Sequence, residues 1–196
     1  MTASATAIII LAAGNSSRLG LPKQLLEFKG KSLLRHAGEA AIAARPGEVI
    51  AIIGFESDRM KHELDDLPVR ILRNDQWEEG IASSIRLGLE SLPKETQAAS
   101  LMVCDQPFVT SGLLAGLIAK CTAAKPIAAA AYGGTLGVPA CFDRSIFPEL
   151  LKLQGDSGAK SVIRRDASRT AALPFPDASI DIDTLSDFKK HLAPGG

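Results

Sequence analysis

Apolar runs of strand length alternate with amphipathic segments along this chain. The runs that suit buried strands fall at residues 7–12, 49–54, 69–72, 100–104 and 127–132. The segments between and after them predict helices at residues 32–44, 57–65, 81–91, 111–124, 159–164 and 185–192. Because strands that alternate with crossover helices assemble into a mainly parallel sheet, the pattern predicts an α/β fold.

The composition fits one domain that binds a small molecule. The chain has 196 residues, of which 46% are hydrophobic, and this is enough for one sizeable core. Lysine plus arginine and aspartate plus glutamate number 22 each, so no net field attracts nucleic acid or an anionic membrane. We therefore expect a single domain over residues 1–196, with residues 1–6 flexible, and no nucleic-acid partner.

The cysteines and the N-terminus indicate a reducing cytoplasm. Cys104, Cys121 and Cys141 are widely spaced, odd in number and without C-x-x-C pairing, which argues against a disulfide scaffold or a zinc site. Residues 1–6 lack a basic region, and no run approaches the roughly 20 apolar residues of a membrane span. We expect a cytoplasmic protein without membrane contact.

The loop after the first apolar run has the features of a cradle for a nucleoside triphosphate. It is bounded by Gly14 and Gly20, which permit close backbone approach to a ligand, and it carries Arg18 and then Lys23. The dinucleotide fingerprint G-x-G-x-x-G does not fit, since five residues separate the two glycines. The Walker motif does not fit either, because its lysine follows a glycine and Lys23 follows Pro22.

A candidate metal ligand directly follows the apolar run at residues 100–104. Asp105 stands there, and Pro107 prevents the strand from continuing. In an open parallel sheet this turn and the first loop meet beyond the carboxyl ends of the strands. A triphosphate brings its own magnesium, so one or two carboxylates from the protein suffice. The alternative is an ordinary turn acid that bonds local backbone.

A second polar loop precedes the predicted helix at residues 81–91. Exposed amides at the start of such a helix bind an anion or a base edge. We therefore expect Asn74, Gly80 and Ser84 to contact the nucleotide. Trp77 has two interpretations, as part of the pocket wall or as an indole that packs at the edge of the core.

The first loop resembles the signature L-A-x-G-x-x-x-R-x-G, followed by P-K, of the MobA-like nucleotidyltransferases. The matching positions are Leu11, Ala12, Gly14, Arg18, Gly20, Pro22 and Lys23. The resemblance covers almost the whole chain and includes the pattern N-x-x-W-x-x-G-x-x-x-S at residues 74–84. It implies a Rossmann-like, glycosyltransferase-A-type fold, which is a three-layer sandwich with a mainly parallel sheet. It also implies that a substrate phosphate attacks the α-phosphorus of the triphosphate, with loss of pyrophosphate.

Ala13 and the later P-K-Q-L-L sequence are similar to the molybdenum cofactor cytidylyltransferase branch. The branch uses CTP rather than GTP, and the methyl group of Ala13 narrows the space beside the base, which suits a pyrimidine. The implied acceptor is the phosphate of molybdenum-loaded molybdopterin, which becomes its cytosine dinucleotide. The implied cation is Mg²⁺, or Mn²⁺ in its place. A molybdenum hydroxylase of the xanthine dehydrogenase type is the implied client and a transient partner.

The resemblance also assigns roles to residues. Catalysis falls to Arg18, Lys23 and Asp105. The metal is held by Asp105 and by a carboxylate of the D-I-D-T element, with Asp183 preferred to Asp181 and helix capping as the alternative role of Asp183. The nucleotide-binding set is Leu11, Ala12, Ala13, Gly14, Arg18, Lys23, Asn74, Gly80 and Ser84. The acceptor side comprises Gly137 and Pro139 of a G-x-P strand and Gly155, Asp156 and Gly158 of a G-D-x-G-A loop.

Three other functions stay open on the sequence. The first is a nucleotidyltransferase that acts on a sugar phosphate or polyol phosphate, which shares the first loop. The second is a non-catalytic protein that binds and delivers nucleotide or cofactor, although it has less need of a full set of metal and phosphate ligands. The third is an oxidoreductase that uses a nicotinamide dinucleotide, against which the missing glycines speak.

Overall fold

Seven strands form one mixed sheet in the computed structural model, which describes residues 5–16, 21–165 and 167–176. In chain order the strands are β1 (Thr6–Ala12), β2 (Glu27–Phe28), β3 (Lys31–Ser32), β4 (Glu48–Ile53), β5 (Arg70–Arg73), β6 (Ala98–Val103), β7 (Ile127–Tyr132), β8 (Thr135–Asp143) and β9 (Thr170–Pro174). The sheet order is β5-β4-β1-β6-β8-β7-β9, while β2 and β3 form a separate hairpin.

Most neighbours in the sheet are parallel. Strand β1 pairs in parallel with β4 and β6, β4 with β5, and β7 with β9. Strand β8 is the exception, since it runs antiparallel to both β6 and β7. The predicted mainly parallel sheet is therefore confirmed, with one reversed strand.

Helices cover both faces of the sheet, as six α-helices of the described chain. They are α1 (Leu33–Ala43), α2 (Ser57–His62), α3 (Ile81–Glu90), α4 (Ser111–Lys120), α5 (Phe147–Leu150) and α6 (Lys160–Arg165). Successive residues of β1 serve opposite cores, because Ile8 packs in the core with α1 and α4, whereas Ile9 packs in the core with α3, α5 and α6. The result is the Rossmann-like three-layer fold that the sequence predicts.

The predicted bounds hold closely for some elements and less well for others. The strand predicted at residues 127–132 is β7 without change, and the helix predicted at residues 81–91 is α3. The helix predicted at residues 111–124 ends at Lys120, because Cys121 has extended backbone with φ −76° and ψ 108°. The helix predicted at residues 185–192 lies outside the described residues.

The structure also bears on the predicted flexible segment at residues 1–6 and on membrane-spanning helices. Thr6, which the sequence assigned to a flexible segment, begins β1, is 1% exposed and pairs with Ala98, so the flexible segment does not reach it. Over the described ranges, every helix is too short or too polar to cross a bilayer.

Candidate active site

A cleft of about 620 Å³ opens where the carboxyl ends of β1 and β6 meet. Its wall consists of residues 11–16, 23 and 24, of Trp77, Glu78, Gly80, Ile81 and Ser84, and of residues 103–105 and 156. The crevice beyond the carboxyl ends of parallel strands is the usual ligand site of open α/β sheets. Two motifs that are distant in the sequence, the first loop and the Asp105 turn, therefore converge as expected.

Lys23 and Asp105 form an ion pair in this cleft. Lys23 Nζ bonds Asp105 Oδ2, and the two side chains are 22% and 13% exposed. The other carboxylate oxygen, Asp105 Oδ1, is buried and has no hydrogen-bond partner within the described part of the chain. An unpaired buried carboxylate oxygen is costly, so this atom is suited to a cation.

The described residues offer a divalent metal few protein ligands. No group of three or more histidine, cysteine, aspartate or glutamate side chains comes together in residues 5–16, 21–165 and 167–176. Asp105 lines the cleft beside the first loop, and Glu78 and Asp156 line it as well. A Mg²⁺ ion bound through one or two carboxylates, with water and substrate phosphates completing its shell, fits such a donor set. Arg18, Asp181 and Asp183 lie outside the described residues.

The thiol beside Asp105 is chemically inert. Burial raises the pKa of the Cys104 thiol to about 12, and the neighbouring Asp105 carboxylate adds to this increase. The thiol therefore stays protonated at neutral pH, whereas a cysteine nucleophile reacts as the thiolate. This agrees with a transfer reaction that uses no protein nucleophile.

Gln24 ties the first loop to the segment that follows it. Its side chain is 1% exposed, and its Nε2 donates to the carbonyl oxygens of Ala12 at 2.9 Å and Gly14 at 2.6 Å. Ser16 Oγ donates to Gln24 Oε1 at 3.3 Å and accepts from the backbone N–H of Lys23 at 3.1 Å. In the sequence, the only signal for a role of Gln24 is its place directly after Pro22 and Lys23.

Gly80 allows two loops to touch. Its φ is +111°, and a Cβ at this position would lie 2.4 Å from the carbonyl carbon and oxygen of Gly155 and 2.7 Å from Asp156 Oδ1. The N–H of Ala82 donates to the Gly155 carbonyl at 3.1 Å. The loop predicted to face the acceptor therefore packs directly on the loop predicted to face the nucleotide, and Asp156 shares the cleft with it.

Arg86 forms hydrogen bonds to residues next to both of these loops. Its Nη1 donates to the carbonyl of Leu153 at 2.7 Å, and its Nη2 donates to Glu79 Oε1 at 2.6 Å. Glu79 precedes Gly80, and Leu153 lies two positions before Gly155. One guanidinium thus bridges the two segments through charge-assisted bonds.

Asn74 lies behind the cleft wall rather than in it. Its side chain is buried, its Nδ2 donates to Ser83 Oγ at 2.8 Å and Ser84 Oγ at 2.9 Å, and its Oδ1 accepts from the N–H of Gln76 at 2.9 Å. Asn74 is not part of the cleft wall as the described residues form it, and its contact with nucleotide stays a prediction. Both donors and the oxygen of the amide are already bonded, so Asn74 acts on the cleft through Ser84, which lines it.

Trp77 is both part of the cleft wall and packed against another aromatic ring. It lines the cleft, and its ring meets that of Phe55 edge to face at a centroid distance of 5.6 Å. The close packing depends on Gly54, where a Cβ would lie 2.8 Å from both Ala13 O and Trp77 Cβ.

The predicted acceptor residues separate into two groups. Asp156 lines the cleft, Gly155 touches Gly80, and Gly158 packs near Ile81. Gly137 and Pro139 instead lie in β8 and are not part of the cleft wall as the described residues form it. At Gly137 the space is taken by Tyr132, whose hydroxyl oxygen would be 2.3 Å from an added Cβ.

Comparison with known proteins gives a family and whole-length relatives. A model of the MobA-like NTP transferase domain matches residues 8–171. A protein of Paenarthrobacter nicotinovorans, nicotine blue oxidoreductase, is 26% identical over 195 residues, which cover 94% of this chain and 95% of that protein.

Solved structures of similar proteins share the fold over nearly the whole chain. The Rv0371c homologue from Mycobacterium sp. strain JC1 has a TM-score of 0.82 and 29% identity, and the match covers 95% of this chain and 94% of that one. Rv0371c of Mycobacterium tuberculosis in complex with manganese has a TM-score of 0.77 and 26% identity, with 95% and 97% covered.

Proposed function

Because the chain belongs to the MobA-like NTP transferase family, we propose that it transfers the cytidylyl group of CTP to the phosphate of molybdenum-loaded molybdopterin. At the level of the family the chain is a nucleotidyltransferase. The observation that carries the proposal is the convergence of the first loop, the Gly80 loop and Asp105 in one cleft.

The cleft is suited to a nucleoside triphosphate. Its volume lies within the range of small-molecule pockets, and it combines apolar wall with a few polar groups. Lys23 supplies positive charge for the phosphates, and Arg18 is proposed to add to it. Ala13 at the wall supports a pyrimidine base, because its methyl group leaves less room beside the ring than glycine would. Leu11, Ala12, Gly14, Gly80 and Ser84 are the proposed remaining contacts.

A divalent cation fits the carboxylate of Asp105. The buried Oδ1 atom supports this assignment, as does the manganese bound to the similar Rv0371c protein. We assign Asp105 and Asp183 as the residues that hold Mg²⁺ or Mn²⁺. When bound, the cation neutralises negative charge on the phosphate oxygens.

The reaction requires positioning and charge stabilisation. An oxygen of the acceptor phosphate attacks the α-phosphorus of CTP, the bond from that phosphorus to the bridging oxygen breaks, and pyrophosphate leaves. Lys23 stabilises the charge that develops on the phosphate oxygens. Asp156, with the turn at Gly155 and Gly158, is the proposed acceptor-side wall, since it shares the cleft with the nucleotide loop.

Oxidoreductase activity with a nicotinamide dinucleotide is the second candidate. One observation favours it: the relative that aligns with 94% of this chain carries the name nicotine blue oxidoreductase. The first loop speaks against it, because Gly14 and Gly20 do not have the spacing of a dinucleotide fingerprint.

Pyrophosphate release separates the candidates. The purified protein is incubated with Mg²⁺ and CTP, GTP or ATP, each with and without molybdenum-loaded molybdopterin. CTP-specific, acceptor-dependent release supports the proposal, whereas release with another acceptor, such as a sugar phosphate, assigns a different substrate. Binding of CTP without release, in folded protein with competent acceptor, favours a delivery protein. Oxidation of a reduced nicotinamide dinucleotide by nicotine blue, the compound in the relative's name, favours the second candidate.

A further inference from the structure

We propose that Gln24 is a positioning residue that fixes the backbone of the first loop and of Lys23 in the arrangement that receives the triphosphate. The identity of the ligand rests on the proposed function, but the arrangement itself rests on contacts among described residues. Gln24 does not touch the reacting atoms in this proposal. It acts through residues 12–16 and through Lys23.

The side-chain nitrogen of Gln24 bonds the backbone of this loop. Its amide group uses one nitrogen for two carbonyls, those of Ala12 and Gly14, which lie at the end of β1 and just beyond it. Gln24 is 1% exposed, and its bond to the Ala12 carbonyl is buried, whereas its bond to the Gly14 carbonyl is partly buried. Bonds in such surroundings are stronger than at a surface, and their loss is correspondingly costly.

The bond to Gly14 also sets the direction of a loop N–H. In a planar trans peptide unit the carbonyl and the following N–H point in opposite directions. Since the Gly14 carbonyl points at Gln24, the N–H of Asn15 points away from it. Asn15 is exposed and lines the cleft. In the proposed arrangement this N–H donates to a phosphate oxygen, as in other anion-binding loops.

Ser16 extends the same network to Lys23. Its backbone is left-handed, with φ +52°, a conformation that a non-glycine residue keeps only when its surroundings hold it. Its Oγ donates to Gln24 Oε1 and accepts from the Lys23 N–H. Ser16 and Lys23 flank the segment that contains Arg18, so Gln24 joins both ends of that segment to β1.

Two substitutions test this role. Gln24→Leu keeps the size of the side chain and removes every hydrogen bond. Gln24→Glu keeps the shape but replaces the donor by an oxygen that faces two carbonyls. Burial and these carbonyls raise the pKa of the introduced carboxyl, and its protonated form donates one bond again. The control is Ile118→Val, a core change in α4 outside the cleft wall.

The measurements are calorimetric affinity for Mg²⁺·CTP, NMR hydrogen exchange of the Lys23 amide in free protein, and Tm. We expect Gln24→Leu to weaken binding about 10-fold to 100-fold, as small misplacements of binding groups do. We expect faster exchange of the Lys23 amide in both variants. As the pH is lowered and the introduced carboxyl becomes protonated, the affinity of Gln24→Glu for Mg²⁺·CTP increases, whereas that of Gln24→Leu does not show this increase. Ile118→Val lowers Tm but changes neither the affinity for Mg²⁺·CTP nor the exchange of the Lys23 amide.

Unchanged affinity and unchanged Lys23 exchange in Gln24→Leu overturn the proposal. So does a loss that Ile118→Val reproduces, since it then reflects stability alone. If the wild-type protein binds no CTP, the proposed function fails. The exchange of the Lys23 amide, which needs no nucleotide, then decides the role of Gln24 by itself.

Discussion

Lys23 and Asp105, which are 82 positions apart in the chain, meet as an ion pair at the floor of the cleft. The pair links the two motifs that the sequence analysis identified separately. The Asp105 carboxylate can bind Lys23 and a metal cation at the same time. Its Oδ2 atom binds Lys23, while its Oδ1 atom is buried and has no hydrogen bond among the described residues. The ion pair therefore combines the Lys23 ammonium with a carboxylate that keeps one oxygen for another ligand.

Removal of the Lys23 ammonium should leave a folded protein with little activity. We expect Lys23→Ala to lower kcat by about 10²-fold to 10³-fold, the cost of losing one group that stabilises developing charge. The readouts are pyrophosphate release and circular dichroism. The matched control is Lys31→Ala, because Lys31 pairs with Glu39 outside the cleft and its loss changes the net charge equally. Near-normal turnover in Lys23→Ala would remove this residue from the mechanism.

The Asp105 carboxylate should control cation binding. We expect Mn²⁺ to bind more tightly in the presence of CTP than alone, because Lys23 already engages Oδ2 and the phosphates add ligands. Asp105→Asn should weaken Mn²⁺ binding at least about 10-fold, which electron paramagnetic resonance of free Mn²⁺ measures. Asp66→Asn serves as the control, since Asp66 pairs with Arg35 away from the cleft. Equal Mn²⁺ affinity in the two variants would contradict the assignment.

Acid should weaken the ion pair between Glu149 of α5 and Arg169, the residue before β9. Arg169 holds the pKa of Glu149 below its usual value, through a bond of 2.6 Å. A lowered folded pKa means that this stabilisation is complete above the unfolded carboxyl pKa and is lost as pH falls through the folded value. Both side chains are about a third exposed, so the effect is at most about 1 kcal/mol.

The comparison is the Tm of wild type and Glu149→Gln between neutral and acidic pH. The difference in Tm between the two proteins should be constant near neutral pH. It should shrink towards zero in acid, where Glu149 is protonated in both the folded and the unfolded state. Glu48→Gln is the reference, because it removes the carboxylate of a different ion pair, that of Glu48 with Arg70. A difference between wild type and Glu149→Gln that grows with acid would reverse the assigned sign.

Strands β1, β4 and β6 were predictable because almost all of their residues are buried. In β1 every residue from Thr6 to Ala12 is buried, which gives a continuous apolar run. Strand β8 gave a weaker signal, since Gly137 and Pro139 lower strand propensity, and its reversed direction depends on tertiary pairing. Strand β9 is a short edge strand that alternates in exposure and ends at Pro174, so it has no such run.

The candidate site was predictable as a set of motifs and less so as a set of contacts. Lys23, Gly80, Ser84 and Asp105 line one cleft, as the sequence predicts. The support of Ser84 by Asn74 was not predictable, because a motif marks a position without saying which atom it serves. The assignment of one domain to the whole chain, and the roles of Arg18 and Asp183, stay predictions.

The contact of Gly80 with Gly155 should make Gly80 intolerant of any side chain. In Gly80→Ala the new methyl group meets backbone atoms at 2.4 Å, and the φ of +111° is unfavourable for alanine. We expect a loss of about 1–3 kcal/mol in the free energy of unfolding and weaker CTP binding, because the 155–156 turn must move away from the cleft. Gly112→Ala is the matched control: it lies in α4 with only Thr110 Oγ1 nearby, at 3.9 Å, and should stabilise by about 0.4–1 kcal/mol. Denaturant unfolding and calorimetry with CTP measure both effects. If Gly80→Ala instead matched Gly112→Ala in stability and kept full CTP affinity, the packing of these two loops would not shape the nucleotide wall.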